Sequence, residues 1–219
     1  MLSERSSAVI DTILARRSVR SGYSDREIPQ DQLDLVLACG LAAPSSKNAR
    51  PWRFHVLRDR AQLEFVARAA VSAEGIEDWV PHDPRTGAPH PEWSSTVVES
   101  AEVLLATPCA ILIENRAPFS RGKRELVQAS AGNLAAAIDG YAFELLGLGA
   151  ALENLWLAAN AVGIQVAFLG DLTVAEEAIA TRFGITGDVA GVVALGYSAD
   201  EPPLRHDRDV ASDDGIVWH

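Results

Sequence analysis

The stretch 134–164 constrains the fold more than any other, because it is the most apolar part of this 219-residue chain. Asp139, Glu144, Glu153, Asn154 and Asn160 interrupt it. Charges inside a bilayer are costly, so it reads as a buried helix over about 140–162 and not as a membrane span. Gly147, Ala151, Asn154 and Ala158 recur at helical spacing, a stripe of small residues among Leu148, Leu152, Leu155, Trp156 and Leu157. Small residues let helix backbones approach closely. Glycine in mid-helix costs about 1 kcal/mol against alanine, so tight packing is the expected compensation, here against a two-fold partner offering the same stripe. Hydrophobic residues at 48% and charged residues at 22% suit one soluble domain with a core large enough to hold such a helix.

The remaining periodicities supply the other elements. Ser7 is placed to cap a first helix over 7–17, with Val9, Ile10, Ile13 and Leu14 on one face. Pro29 opens a second, with Leu33, Val36, Leu37 and Leu41 inward. Helical patterns follow over 61–71 and 94–106, and strand patterns over 54–57, 109–113, 164–169 and 189–195. Thr173 is placed to cap a short helix over 175–183. Strands and helices do not alternate as in a doubly wound sheet, which points to an α+β fold with a central mixed or antiparallel sheet. The expected organisation is a single domain over 1–219, with a variable, lid-like insertion at about 72–130 and a C-terminal tail at about 200–219. Four prolines and two glycines break up 72–94, which carries Trp79 and Trp93. Such a segment is either a pocket wall or a surface loop packed on its own base.

A formal net charge of −11 argues against nucleic-acid and anionic-membrane partners, which need a positive field. Cys39 and Cys109 lie in apolar runs with no Cys or His at a ligand spacing, and read as buried thiols in a reducing compartment. With no secretory signal pattern at the start, the expected location is cytoplasmic. Phosphate-loop, dinucleotide-fingerprint, zinc-protease and nucleophile-elbow motifs are absent, and no metal site is expected.

Two clusters carry the chemistry. Arg16, Arg17, Ser18 and Arg20 follow the first helix. They either complement its negative end, or clamp an anion if the chain becomes extended after Arg17, so that Ser18 and Arg20 project to one side. Three guanidiniums and a hydroxyl suit a phosphate and a polyol. Pro44 and Pro51 bracket a held loop with Ser45, Ser46 and Asn48, which is either a ligand loop or a well-bonded turn. Arg121, Lys123 and Arg124 read as a solvated basic face.

Taken together, Arg16-Arg-Ser-Val-Arg20 and Ala43-Pro-Ser-Ser-Lys-Asn-Ala-Arg-Pro-Trp52 resemble the nitroreductase family of FMN-dependent oxidoreductases, with Arg50 where that family usually has glutamine. The likeness continues through 152–163, Leu169-Gly170 and Leu195-Gly-Tyr197. It implies a nitroreductase-like α+β fold, a homodimer with the long helix at its interface, and FMN sites shared between subunits. Arg16, Arg17, Ser18 and Arg20, with Arg208 or Arg205, would hold the phosphate, ribityl chain and pyrimidine edge. Pro44, Ser45, Ser46 and Asn48 of the other subunit would line the ring, and Leu169 and Gly170 would lie by its N5. Trp79, Trp93 and Phe119 are the expected substrate walls. The implied activity is ping-pong hydride transfer from NAD(P)H to a small electron-poor acceptor such as a nitroaromatic or quinone. The same fold could instead run as a dehydrogenase or oxidase on a biosynthetic intermediate. A non-catalytic nucleotide-binding protein is the alternative from another class.

Overall fold

Period-two alternation in the strands builds the molecule in three layers. The computed structural model describes residues 4–83, 85–89 and 95–198. Strands β1 (Trp52–Leu57), β2 (Cys109–Asn115), β3 (Gln165–Leu169) and β4 (Asp188–Gly196) form one sheet in the order β1-β2-β4-β3. All three pairings are antiparallel. On β2, Ala110 and Leu112 face one core, whereas Cys109, Ile111 and Ile113 face the other. Both faces are covered, so every residue of β2 is buried.

Helices α3 (Arg60–Val71), α4 (Thr96–Ala106) and α7 (Glu176–Phe183) cover one face. Asp59 caps α3 by accepting from the Ala61 N–H, and Ser95 caps α4 by accepting from that of Val97. The other face carries α2 (Gln30–Leu41) and the long α6 (Leu134–Ala161). A side chain at Gly40 would sit 2.6 Å from Leu155, so glycine there lets α2 and α6 close on each other. Helix α1 (Glu4–Ala15) and the short α5 (Lys123–Gln128) complete the set.

Several local expectations are corrected. Ser7 lies inside α1 and not at its cap, and α1 stops at Ala15, before the arginines. Leu41 is exposed, and Cys39 is half-buried. The side chain of Thr173 does not cap α7. It donates to the carbonyl of Gly170 within a 3-10 stretch, Gly170–Ala175. Lys123 is not part of a solvated face, since its Nζ lies 2.7 Å from Glu176 and its backbone N–H donates to Asp188. Helix α6 begins at Leu134, ahead of Gly140, whose missing side chain makes room for Phe119.

The small-residue stripe on α6 is covered by its own chain, because a Cβ at Gly147 would meet Ser45 and Pro51 at 3.3 Å. Nor is α6 buried throughout. Its first half turns Ile138, Phe143, Leu145 and Leu146 outward, with Leu146 71% exposed. By length and composition α6 could cross a membrane. Here its second half packs on α2 and the sheet. Within 72–130 lie α4 and the central strand β2, both in the core. The tail 200–219 lies outside the described residues.

Candidate functional site

The arginine motif is fixed between α6 and the edge strand β3. After α1 the chain extends, and the Val19 N–H donates to the Val166 carbonyl at 3.0 Å. Trp156 of α6 donates from its indole N–H to the Arg17 carbonyl at 3.2 Å. These two bonds bury Val19 and leave its neighbours Ser18 and Arg20 exposed on one side. The Arg16 guanidinium stacks 4.7 Å above the Trp156 ring and pairs with Glu153 at 3.0 Å. Arg17 donates from Nε to the Ala15 carbonyl, but its Nη1 is buried and has no partner.

Buried polar groups are ordinarily hydrogen-bonded, so an orphan marks a place where something is missing or strained. Among the described residues three buried side-chain polar atoms lack a partner: Arg17 Nη1, Asn160 Oδ1 and Asp171 Oδ1. Asn160 lies in the last turn of α6, and it and Arg17 both line an open cavity of about 380 Å³. Asp171 directly follows Gly170, at the far end of the strand that anchors Val19. Thus all three orphans fall near the two ends of β3. A larger cavity, about 550 Å³, lies by Arg58 and Arg60. Both guanidiniums there are engaged, Arg58 with Gln30 and the Ile28 carbonyl, Arg60 with Glu64 and the Leu105 carbonyl.

The proline-bracketed loop is a 3-10 turn, Ser46–Asn48, with Lys47, Asn48 and Arg50 all at positive φ. Residues with side chains adopt that region at some cost, and such strain collects at functional sites. The conformation is held from several directions. The Ser45 hydroxyl accepts from the Arg50 N–H, Asn48 accepts from Arg50 Nε, and Arg116 donates to the carbonyls of Arg50 and Pro51. Pro44 at its start is exposed.

One chain does not bring the two clusters together. The loop lies against Gly147, while Arg17 is tied to Trp156, nine residues along α6 and therefore about 14 Å away along its axis. Leu169 is buried, and Gly170 leaves space for the Phe168 ring, 2.9 Å from where its Cβ would be. Phe119 is about one-third exposed and lies beside Lys47 of the loop. Trp79 sits in a short turn whose carbonyl accepts from Thr96 at the start of α4, on the opposite face of the sheet from Phe119. Trp93, Arg205 and Arg208 lie outside the described residues.

Glu144 is the residue that sequence reasoning underused. It is fully buried and accepts from Asn115 Nδ2, the Phe119 and Ser120 N–H groups and the Ser120 hydroxyl, at 2.7–3.0 Å. Burial alone would raise its carboxyl, but these bonds favour the ionised form and hold it below its ordinary range. It fixes the loop that carries Phe119. An acid inside an apolar helix, one of three there with Asp139 and Glu153, was the only signal in the sequence. The Tyr141 hydroxyl, close by, is pushed up to about 12 by burial and by the carboxylates of Asp188, Glu176 and Glu144.

The sequence profile of the Nitroreductase family matches residues 13–197. A relative from Methanothermobacter thermautotrophicus, provisionally named NADH dehydrogenase/NAD(P)H nitroreductase, is 26% identical over 201 residues, covering 90% of this chain and 81% of its own. Among solved structures, a nitroreductase with bound FMN from Desulfitobacterium hafniense superposes with a TM-score of 0.67 at 18% identity, covering 100% of both chains. An NADPH:FMN oxidoreductase from Vibrio harveyi complexed with NAD+ superposes at 0.64 and 18% identity, covering 97% of this chain and 79% of its own. At these identities the structural likeness establishes the fold.

Proposed function

The chain belongs to the nitroreductase family, a family of oxidoreductases, and we propose that it is an FMN-dependent NAD(P)H oxidoreductase reducing a small electron-poor acceptor such as a nitroaromatic or quinone. The observation that carries the proposal is the unpartnered Arg17 Nη1. A buried cationic donor left open beside a cavity fits an anionic, polyol-bearing ligand such as FMN. The donor set around it agrees. Arg16, Arg17, Ser18 and Arg20 would hold the phosphate, ribityl chain and pyrimidine edge. Gly170, just past the end of β3, would offer its backbone N–H to the ring, with Leu169 packed behind it.

Bound FMN would supply the redox chemistry, taking hydride at N5 from NAD(P)H and returning the electrons to the acceptor. The chain's own work is binding, orientation and charge. Arginine near the pyrimidine edge favours negative charge there, which makes hydride uptake easier. The separation of the two clusters along α6 supports a homodimer in which Pro44, Ser45, Ser46 and Asn48 of one copy face the arginines of the other. Exposed apolar residues on α1 (Val9, Ile10, Ile13, Leu14) and on the first half of α6 suit that association. Phe119, beside that loop, is the substrate wall favoured by position. Two free thiols suit a cytoplasmic setting.

The test is anaerobic spectroscopy of the FMN-loaded protein. Bleaching of the flavin by NADPH or NADH, and recovery on adding a nitroaromatic or quinone, is the expected result. A loaded protein that neither nicotinamide bleaches would reject the reductase direction and favour a substrate oxidase. A protein that takes up no FMN would reject the cofactor.

A further inference from the structure

Arg17 Nη1 and Asn160 Oδ1 are two of the three orphaned buried polar atoms among the described residues, and their two residues line the same cavity with Asp11, Thr12, Ala15 and Gln165. One is a donor and the other an acceptor. The main chain fixes their places, since the Arg17 carbonyl is held by Trp156 and Asn160 sits in the last turn of α6, where its own carbonyl accepts from Gly163. A lone phosphate dianion could accept from Arg17 but has no proton to offer Asn160. A group that both accepts and donates could satisfy the two atoms together. A flavin carries two such groups, the ribityl hydroxyls and the imide edge of its pyrimidine ring.

We infer that Asn160 is a flavin-binding residue, accepting a hydrogen bond from a hydroxyl or imide N–H of the cofactor while Arg17 donates beside it. The inference rests on the FMN reading above and extends the site onto the end of α6. Its energetic signature separates it from a framework role. An unmet buried acceptor destabilises the ligand-free protein and is repaid only when ligand arrives. A framework residue would stabilise the protein in both states.

The experiment compares wild type with Asn160→Ala. The flavin-free proteins are melted, and each is then titrated with FMN, riboflavin and lumiflavin by flavin fluorescence. The expected result is an unchanged or raised melting temperature for the flavin-free variant, together with roughly tenfold weaker FMN binding. Weakening with FMN and riboflavin alone places the contact on the ribityl chain, which lumiflavin lacks, and weakening with all three places it on the pyrimidine edge. A lowered melting temperature without flavin would make Asn160 a framework residue and overturn the inference. So would FMN binding equal to that of wild type, or weakening confined to FMN. Failure of the wild type to bind any of the three flavins would instead overturn the cofactor reading, and the inference with it.

Discussion

Two places on helix α6 treat buried polar groups in opposite ways. At Glu144, a fully buried carboxylate is met by four donors, one from the last residue of β2 and three from the loop after it. At Asn160, sixteen residues further along by sequence number, a buried amide oxygen and the neighbouring Arg17 Nη1 have no partner. The first arrangement is closed: it ties a loop to a helix and asks for nothing more. The second is left unmet, in two residues that line a cavity. A satisfied network serves the scaffold, whereas on the proposed reading the unsatisfied one serves binding.

That contrast is sharpest where a closed network is cut. Replacing Glu144 by alanine strands several buried donors, so Glu144→Ala should lose about 3–5 kcal/mol in urea unfolding. A loss below about 1 kcal/mol would mean the network does not hold the loop. At the open site the expected response moves to binding. Arg17→Met should unfold within about 1 kcal/mol of wild type while binding FMN roughly 10- to 100-fold more weakly, the range for a charged hydrogen bond. A large loss of stability with unchanged affinity would erase the distinction between the two regions.

Acid offers a gentler cut of the closed network. Because the folded Glu144 carboxyl is held below its ordinary value of 4.5, its stabilisation is fully present above that pH and fades as pH falls through the folded value. Wild type should therefore hold its advantage over Glu144→Gln at neutral pH and lose it progressively below about pH 4.5, in unfolding curves taken across that range. The smallest effect is expected at Glu153. Its pair with Arg16 is partly exposed, and such pairs contribute about 0.2–1 kcal/mol, so Glu153→Gln should melt close to wild type.

The same contrast explains what the sequence could and could not reveal. Local signals were legible. Pro29 opened α2, a short continuous apolar run marked β2, and the paired motifs at 16–20 and 43–52 pointed to the family and its fold. Signals that depend on distant partners were not. Glu144 looked like an interruption, because its donors lie 24–29 residues away. Lys123 looked solvated because Glu176 is 53 residues off. Thr173 looked like a cap, but the chain tightens into a 3-10 turn before α7, and its hydroxyl serves Gly170 instead. Gly147 looked like a partner-facing stripe until Ser45 and Pro51 occupied it. Asn160 carried no signal at all, since an unmet hydrogen bond exists only in three dimensions.

The central claim is that the arginine motif of one copy and the proline-bracketed loop of another complete a single FMN site. Co-expressing an Arg17→Met chain with an Asn48→Ala chain, purifying the mixed dimer and titrating FMN tests it directly. Of the two sites in that dimer, one gathers both defects and the other none. The account predicts that half of the sites bind FMN with wild-type affinity, although each variant homodimer binds weakly. Weak binding at every site of the mixed dimer would contradict it.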